Sequence, residues 1–353
     1  MTVADEHILV INNPRYSSAS YEAFKNLPGV ASVTVVETTG APGRGVPLTP
    51  IPAEIWAQAT VLLTHQILPP SREAVPNLKY VQLFSAGSNL LVSQPFFKEN
   101  SDIIFCNASG VHGPIISEYV ILMILTFFHD SQQYAKWQSE ERWGKVTDFP
   151  KDIKYQYGRT IGILGYGAIG RQTARIAKAL GMRLIVHSFS TPAKKERVEI
   201  AIPGSGDPDG SLPDIWLTGP ERLNEFFGSG LDVLVIAAPL TPVTTKLINK
   251  TTLAMLKGAY IVNVGRGPII DTDDLIEACE SELIAGAALD VTDPEPLPAG
   301  HKLFTTKNIS VTPHISGHVD AYAKNVTNIA AHNITQLRAG KAVTNRVTTG
   351  SDY

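Results

Sequence analysis

The 353-residue sequence predicts an α/β protein built from two doubly wound parallel-sheet domains. Three observations predict it. β-rich apolar runs recur, roughly every 20–28 residues, over the first third of the chain, with helix-compatible segments between most of them. A second series opens at Arg159 with a glycine turn set between a β-rich run and an amphipathic run. The longest apolar helical stretch of the chain lies between the two series. Strand and helix in alternation is the pattern of parallel sheets with helical crossovers.

Length and composition agree with two domains, each large enough for its own core. The formal net charge of −3 gives no electrostatic case for nucleic acid or an acidic membrane surface. Cys106 and Cys279 sit in apolar runs without a CxxC or His-rich neighbourhood, so core thiols are expected rather than a disulfide or a metal site. The segment MTVADEHILV lacks the basic and apolar regions of a signal peptide. No uncharged apolar run approaches the ~18 residues of a membrane span, and VILMILTFF (120–128) reads as a buried helix. A cytoplasmic location is expected.

Each element follows from its local sequence. HILVIN (7–12), SVTVVE (32–37), TVLLTH (60–65), YVQLFSAG (80–87) and IIFCNASG (103–110) read as the buried strands of a flavodoxin-like sheet. APGRGVPLTPIP (41–52) is a loop by its Pro and Gly content. No glycine fingerprint follows the first strand, so this half is expected to hold something other than a dinucleotide. GPIISEYVILMILTFFHDSQQYAKWQ (113–138) is expected to be one long helix, with Pro114 in its first turn. Being apolar almost all round, it should be buried by another domain or another subunit, which makes it the domain connector and a homodimer element.

RTIGILGYGAIGRQTARIAKALGM (159–182) reads as strand, glycine turn and amphipathic helix, with Gly181 as the stop. RLIVHSF (183–189), LDVLVIAAP (231–239), AYIVNVG (259–265), GAALDV (286–291) and ISVTPH (309–314) bring the count to six strands, that of a complete Rossmann domain. AIPGSGDPDGSLPDIW (201–216) reads as a surface loop between the second and third of them. AYAKNVTNIAAHNITQLRAG (321–340) has helical periodicity ended by Gly340 and is expected to return to the first domain. The boundaries drawn are a substrate domain at 1–110, completed by 318–353, and a dinucleotide-binding domain at 111–317.

A GxGxxG pattern alone is weak, but Gly165, Gly167 and Gly170 follow a strand and open a helix, which is the context that gives it meaning. Gly165 permits the tight turn, Gly167 lets the backbone approach a pyrophosphate, and Gly170 lets helix and strand pack closely. The helix N-terminus adds amide protons and the positive end of its dipole. About 20 residues further on, an acidic residue would take the ribose 2′-hydroxyl of NAD. Ser188 stands there instead. Ser188, Ser190 and Thr191 offer hydroxyls, and Lys194, Lys195 and Arg197 offer charge, although a single lysine there is more often on a solvated helix face. NADP(H) is therefore the preferred cofactor, with NAD(H) possible.

Three strand-like runs each end in one polar residue able to do chemistry: Arg266, Glu295 and His314. If the runs are neighbouring parallel strands, all three emerge at the sheet edge where α/β proteins bind ligands. A guanidinium, a carboxylate and an imidazole gathered there suit acid/base work on a small anionic substrate. Alone, a His is usually structural, an Arg a surface charge and a Glu between prolines a turn residue.

LGYGAIGR (164–171), APLTPVTTKLIN (238–249), VNVGRGPIIDTDDL (262–275), ALDVTDPEPLP (288–298), TPHISG (312–317) and FSAGSN (84–89) together resemble the D-isomer-specific 2-hydroxyacid dehydrogenases over nearly the whole chain. The Asp-rich loop at 204–211 and GVHGPIISEY (110–119) are similar to the fungal glyoxylate/hydroxypyruvate reductase branch. The resemblance implies reversible hydride transfer from NAD(P)H to a 2-keto acid. His314 would be the acid/base, Glu295 would orient it, and Arg266 would bind substrate. The backbone amides of Ala86 and Gly87 resemble a second carboxylate clamp. Cofactor contacts are implied for Gly165, Gly167, Ala168, Ile169, Gly170, Ser188, Ser190, Lys195, Pro239, Val264, Asp290 and Gly317. Asp290 would orient the nicotinamide carboxamide, and His112 is the one further histidine to watch. Formate dehydrogenases carry Gln where this chain has Glu295. An alternative on the same fold is a nucleotide-sensing protein like the C-terminal-binding-protein co-repressors, for which no partner-binding extension is visible.

Overall fold

A computed structural model of the chain describes residues 5–39, 47–148, 153–189 and 199–348. The described residues form two all-parallel sheets, and the chain divides into two compact units. No single helix among the described residues is long and apolar enough to cross a membrane.

The first unit comprises Met1–Val111, Ile200–Pro203 and Val319–Tyr353. Its strands are β1 (Glu6–Asn12), β2 (Val30–Glu37), β3 (Val61–Thr64), β4 (Tyr80–Leu83) and β5 (Ile104–Cys106), in the order β2-β1-β3-β4-β5. This is the flavodoxin-like order, with its topological switch point between β1 and β3. The central strands β3 and β4 are buried at every residue, as expected where both faces are covered. The C-terminal helix Tyr322–Arg338 buries Tyr322, Ala323, Val326, Ile329, Ala330 and Ile334, a single stripe at helical spacing, in the core with Ile8, Val10 and Phe24. Gly340, at φ +65°, follows its end.

The second unit comprises His112–Glu199 and Gly204–His318. Its sheet contains β6 (Thr160–Leu164), β7 (Arg183–Ser188), β8 (Ile215–Thr218), β9 (Val233–Ile236), β10 (Tyr260–Asn263), β11 (Gly286–Leu289) and β12 (Ile309–Val311), in the order β12-β11-β10-β9-β6-β7-β8. Side chains alternate between two cores: Val233 and Val235 face one, Leu234 and Ile236 the other. That alternation into two apolar layers is why these strands read as continuous apolar runs.

The structure differs from the sequence reading in three places. The second sheet has seven strands rather than six, because β8 lies at the end of the segment read as a loop and pairs with β7 from Ile185↔Ile215 to Ser188↔Thr218. It is a four-residue edge strand, mostly half-exposed, and follows a Gly/Pro/Asp-rich run that hides its pattern. The segment before it is more than a surface loop. Ala201 and Ile202 join the first unit's core, where the Ala201 carbonyl accepts from Asn328 Nδ2 at 3.0 Å. Asp207, in the second unit, is buried and accepts from the Tyr166 hydroxyl at 2.7 Å. The long helix is two, α1 (Gly113–Phe128) and α2 (Ser131–Ser139), bent by 71° at Asp130, whose backbone is left-handed at φ 51°. Its apolar stripe turns inward on α1, and Phe127 stacks on Tyr260 of β10 at 4.1 Å.

Candidate active site

β10, β11 and β12 are adjacent and parallel, and their register pairs Asn263 with Leu289 and Leu289 with Val311. Their carboxyl ends are therefore level. Arg266 follows β10 by three residues, Asp290 follows β11 directly, and His314 follows β12 by three. The loop after β11 brings Glu295 back so that its Oε1 lies 2.6 Å from His314 Nδ1. The imidazole is 52% exposed and the carboxylate 41%, so both remain open to a ligand.

Each of these residues is held by its neighbours. Buried Asn263 accepts from the Gly265 amide at 3.0 Å and donates through Nδ2 to the Arg266 carbonyl at 3.0 Å. The half-buried Arg266 donates through Nη1 to the Gly265 carbonyl at 2.8 Å. A side chain at Gly267 would strike the Thr292 carbonyl, so the Arg266 turn packs directly on the strand β11 exit. His314 has a left-handed backbone at φ 53°, a conformation uncommon outside glycine and held here by the structure around it. Its amide donates to the Asp290 carbonyl at 2.9 Å.

Asp290 anchors that turn with its side chain as well. Oδ1 accepts from the Thr312 hydroxyl at 2.6 Å and the Ile315 amide at 2.9 Å, and Oδ2 accepts from the Ser316 amide at 3.0 Å. The sequence reading gave Asp290 to the cofactor; in the structure its carboxylate takes three internal donors and thereby holds the His314 turn. Thr312 is also bonded to the Tyr119 hydroxyl of α1 at 2.8 Å. Burial pushes the Tyr119 phenol up to about 12, so it stays neutral.

His112, the further histidine of the sequence reading, immediately precedes α1. Its ring lies against Gly317, where a Cβ would come 2.7 Å from His112 Cδ2. Burial, followed by the charges of His314 and Arg266, pushes it down to about 4. A neutral imidazole therefore stands beside the exposed one. Asn263, Thr312, Tyr119 and His112 are the supporting residues that the sequence reading did not assign; for Thr312, its place two residues before His314 was the available signal.

The glycine turn joins β6 to α3 (Ala168–Ala179). Gly165 has φ +98°, and a side chain there would lie 2.6 Å from the Ala238 amide nitrogen. Gly170 approaches within a methyl's reach of the Gly165 carbonyl, 2.3 Å from a built Cβ. At Gly167 a Cβ would meet nothing within 4 Å, and no side chain caps α3. An open helix N-terminus beside a glycine backbone fits a pyrophosphate. Ala168 is buried and Ile169 half-buried behind it. Pro239 and Val264 follow β9 and β10; the Pro239 carbonyl accepts from Thr244 Oγ1 at 2.7 Å, and the Val264 amide donates to Ile236 at 3.0 Å.

Ser188 ends β7, and its hydroxyl accepts from Trp216 Nε1 at 3.1 Å. Trp216, on the strand absent from the sequence reading, thus holds the side chain that the sequence reading assigned to the cofactor ribose. Ser190, Thr191, Lys194, Lys195 and Arg197 lie outside the described residues. Ala86 and Gly87 belong to the first unit, in the turn after β4, where Ser85 Oγ donates to the Gly87 carbonyl at 2.8 Å.

Residues 121–204 and 219–316 match the family model described as D-isomer specific 2-hydroxyacid dehydrogenase, NAD binding domain. The chain is 38% identical to a glyoxylate reductase of Aeropyrum pernix over 253 residues, 69% of each protein. It is 29% identical to a hydroxypyruvate reductase of Blautia hydrogenotrophica over 280 residues, covering 77% of this chain and 79% of that one. Among solved structures, the D-isomer specific 2-hydroxyacid dehydrogenase of Xanthobacter autotrophicus Py2, in complex with NADPH and MES, superposes with a TM-score of 0.74 at 25% identity, covering 99% of this chain and 100% of that one. With its two parallel sheets, its glycine turn and these matches, the chain belongs to the D-isomer specific 2-hydroxyacid dehydrogenase family and is an NAD(P)-dependent oxidoreductase.

Proposed function

We propose that this protein reduces small 2-keto acids, glyoxylate and hydroxypyruvate among them, to D-2-hydroxy acids with NADPH as the preferred reductant. The observation that carries this reading is the 2.6 Å contact between His314 Nδ1 and Glu295 Oε1 at the carboxyl edge of the sheet that bears the glycine turn. The bound nicotinamide supplies a hydride to the carbonyl carbon. His314 donates the proton that the carbonyl oxygen needs, through the ring nitrogen not engaged by Glu295. Glu295 fixes the ring's orientation through its bond to Nδ1. Arg266 holds the carboxylate and polarises the carbonyl through its fork of donors. In the reverse direction the same imidazole accepts the hydroxyl proton.

Within this reading the first unit is the substrate domain (1–110, completed by 318–353), with the Ala86 and Gly87 amides as a second carboxylate clamp, and 111–317 binds the dinucleotide. Ser188 presents a hydroxyl and no carboxylate to a 2′-phosphate, which supports NADPH over NADH. Names of relatives support the glyoxylate/hydroxypyruvate type, and GVHGPIISEY suggests its fungal branch. A homodimer and a cytoplasmic location complete the proposal. The dimer is supported by exposed apolar residues on α1 and in the chain after α2: Leu122 at 59%, Trp143 at 96%, Tyr155 at 74% and Tyr157 at 75% exposure.

The test is a panel of 2-keto acids assayed with NADPH and with NADH, alongside sedimentation of the purified chain. Steady oxidation of NADPH, faster than of NADH, supports the proposal. Cofactor binding without turnover of any 2-keto acid overturns it and favours a nucleotide sensor.

A further inference from the structure

The first unit carries a charged and aromatic cluster that the chemistry above does not use. Arg15 follows β1, His65 follows β3 and Phe84 follows β4, so the three stand along the carboxyl edge on either side of the β1/β3 switch point. In an open α/β sheet this crevice is the place where a ligand binds. Phe84 also leads directly into the turn of Ala86 and Gly87.

The cluster is built rather than incidental. Tyr16 is buried and held at both ends of its backbone, its amide donating to Asn13 and its carbonyl accepting from Asn12 Nδ2. Its ring stacks at 6.0 Å on His65, 5.9 Å on Phe84 and 5.5 Å on Tyr322, and His65 stacks on Phe84 at 4.8 Å. The Arg15 guanidinium lies over the Tyr16 ring at 4.7 Å and donates to the Tyr16 hydroxyl. One of its five N–H groups is thereby spent. Among the described residues no carboxylate pairs with Arg15, whereas Lys25, Arg72 and Arg338 of the same unit all have acidic partners. Glu37, the nearby acid at the end of β2, receives the Asn12 amide instead.

His65 adds the second observation. Its Nε2 is buried and has no hydrogen-bond partner among the described residues. A buried polar nitrogen left unpaired is costly, and a native fold keeps one where something else completes it. Burial, with Arg15 adding to it, pushes the imidazole down to about 4, so at neutral pH it is an uncharged ring with one N–H to give.

We propose that Arg15 and His65 form a recognition subsite for a second carboxylate, and that the preferred substrates are 2-keto acids with an acidic group at the far end. Arg15 supplies the charge and the fork geometry that suits a carboxylate, and His65 a neutral hydrogen bond at the same edge. The inference rests on the 2-keto acid reading of the protein and names the substrate class within it.

The experiment compares oxaloacetate and 2-ketoglutarate with their uncharged counterparts 2-ketobutyrate and 2-ketovalerate, with glyoxylate as the minimal substrate, in the full-length protein and its Arg15→Met, Arg15→Lys and His65→Phe variants. The expected result is a kcat/KM at least tenfold higher for each dicarboxylic acid than for its uncharged counterpart. Arg15→Met abolishes that preference through KM with kcat retained, Arg15→Lys restores part of it, and His65→Phe, which keeps the ring stack, lowers it several-fold. A wild-type ratio near one, or a ratio unmoved by Arg15→Met, overturns the inference while leaving the reductase reading intact. Calorimetric binding of succinate against butyrate reads the subsite without turnover: succinate is expected to bind at least tenfold tighter, and to lose that advantage in Arg15→Met. If no 2-keto acid turns over, the reductase reading fails on its own, and equal binding of the two acids then removes the subsite as well.

Discussion

The Thr312 hydroxyl donates to the buried Asp290 carboxylate at 2.6 Å, and through that bond two strand ends hold the turn on which His314 sits. Replacing Asp290 with Asn sets an N–H₂ group against donors that expect an oxygen, either Thr312 and Ile315 or Ser316. A buried donor left unsatisfied costs about 1–3 kcal/mol. Asp290→Asn should therefore lower the unfolding free energy read from urea denaturation by that amount and lower kcat together with it. Tyr119→Phe, which removes only the outer bond to Thr312, should cost less, about 1 kcal/mol.

His314→Gln is expected to lower kcat by about 10²–10⁴, the usual worth of a positioned proton donor. NADPH affinity, followed by fluorescence, should change little, because the substitution leaves the glycine turn alone. Loss of both together would count against a direct role for the ring. Glu295→Gln keeps a hydrogen bond to the ring and removes the charge, so it should lower kcat less than His314→Gln does and leave NADPH affinity unchanged.

Gly170 and Gly167 should separate folding from cofactor binding. Gly170→Ala forces a methyl into the Gly165 carbonyl and should lower the thermal midpoint by several degrees. Gly167→Ala has open space around the new methyl and should fold normally. Its loss should appear only as weaker NADPH binding, about tenfold or more, since the methyl occupies the approach to the pyrophosphate. Calorimetry on both variants, with and without NADPH, checks the contrast.

Ser188→Asp introduces a negative charge beside the 2′-phosphate position and should move the ratio of kcat/KM for NADPH over NADH downward by about tenfold, equivalent to 1.4 kcal/mol. The Trp216 bond to this side chain predicts that Trp216→Phe, by removing that bond from Ser188, weakens discrimination in the same direction but less. Initial rates with each cofactor at a fixed 2-keto acid provide the measurement.

His65 and His112 are both pushed down to about 4. In the unfolded chain they titrate near 6.5, so between about pH 6.5 and 4 the unfolded state binds more protons than the folded one. Their contribution is complete above that window and is lost as pH falls through it, by at most about 3 kcal/mol each. Denaturation at pH 7.5 and 4.5 should show the loss, and His65→Phe should reduce it.

Much of the architecture can be read from the chain because buried parallel strands announce themselves as unbroken apolar runs, such as VLVI in β9 and YIVN in β10. The carboxyl-edge positions of Arg266, Glu295 and His314 follow from the same runs, each of which stops just before its polar residue. What is hidden has physical causes. β8 is short and half-exposed, so neither length nor alternation marks it. The bend at Asp130 involves no Gly or Pro, only a non-glycine residue in the left-handed region. The bond between Tyr119 and Thr312 joins residues 193 apart, and the one between Trp216 and Ser188 depends on β8 being a strand at all. Pairings of that kind are set by tertiary packing and leave no local trace.

Ile200–Pro203 sit in the first unit although the chain on either side of them belongs to the second. A gene cut at the two obvious junctions, near residues 111 and 319, would thus strip the first fragment of the Ala201 carbonyl that Asn328 holds and leave its excised counterpart with a greasy loop and nowhere to bury it. Chimeras that swap one lobe between relatives should carry these four residues along with the lobe they complete, or expect poor expression.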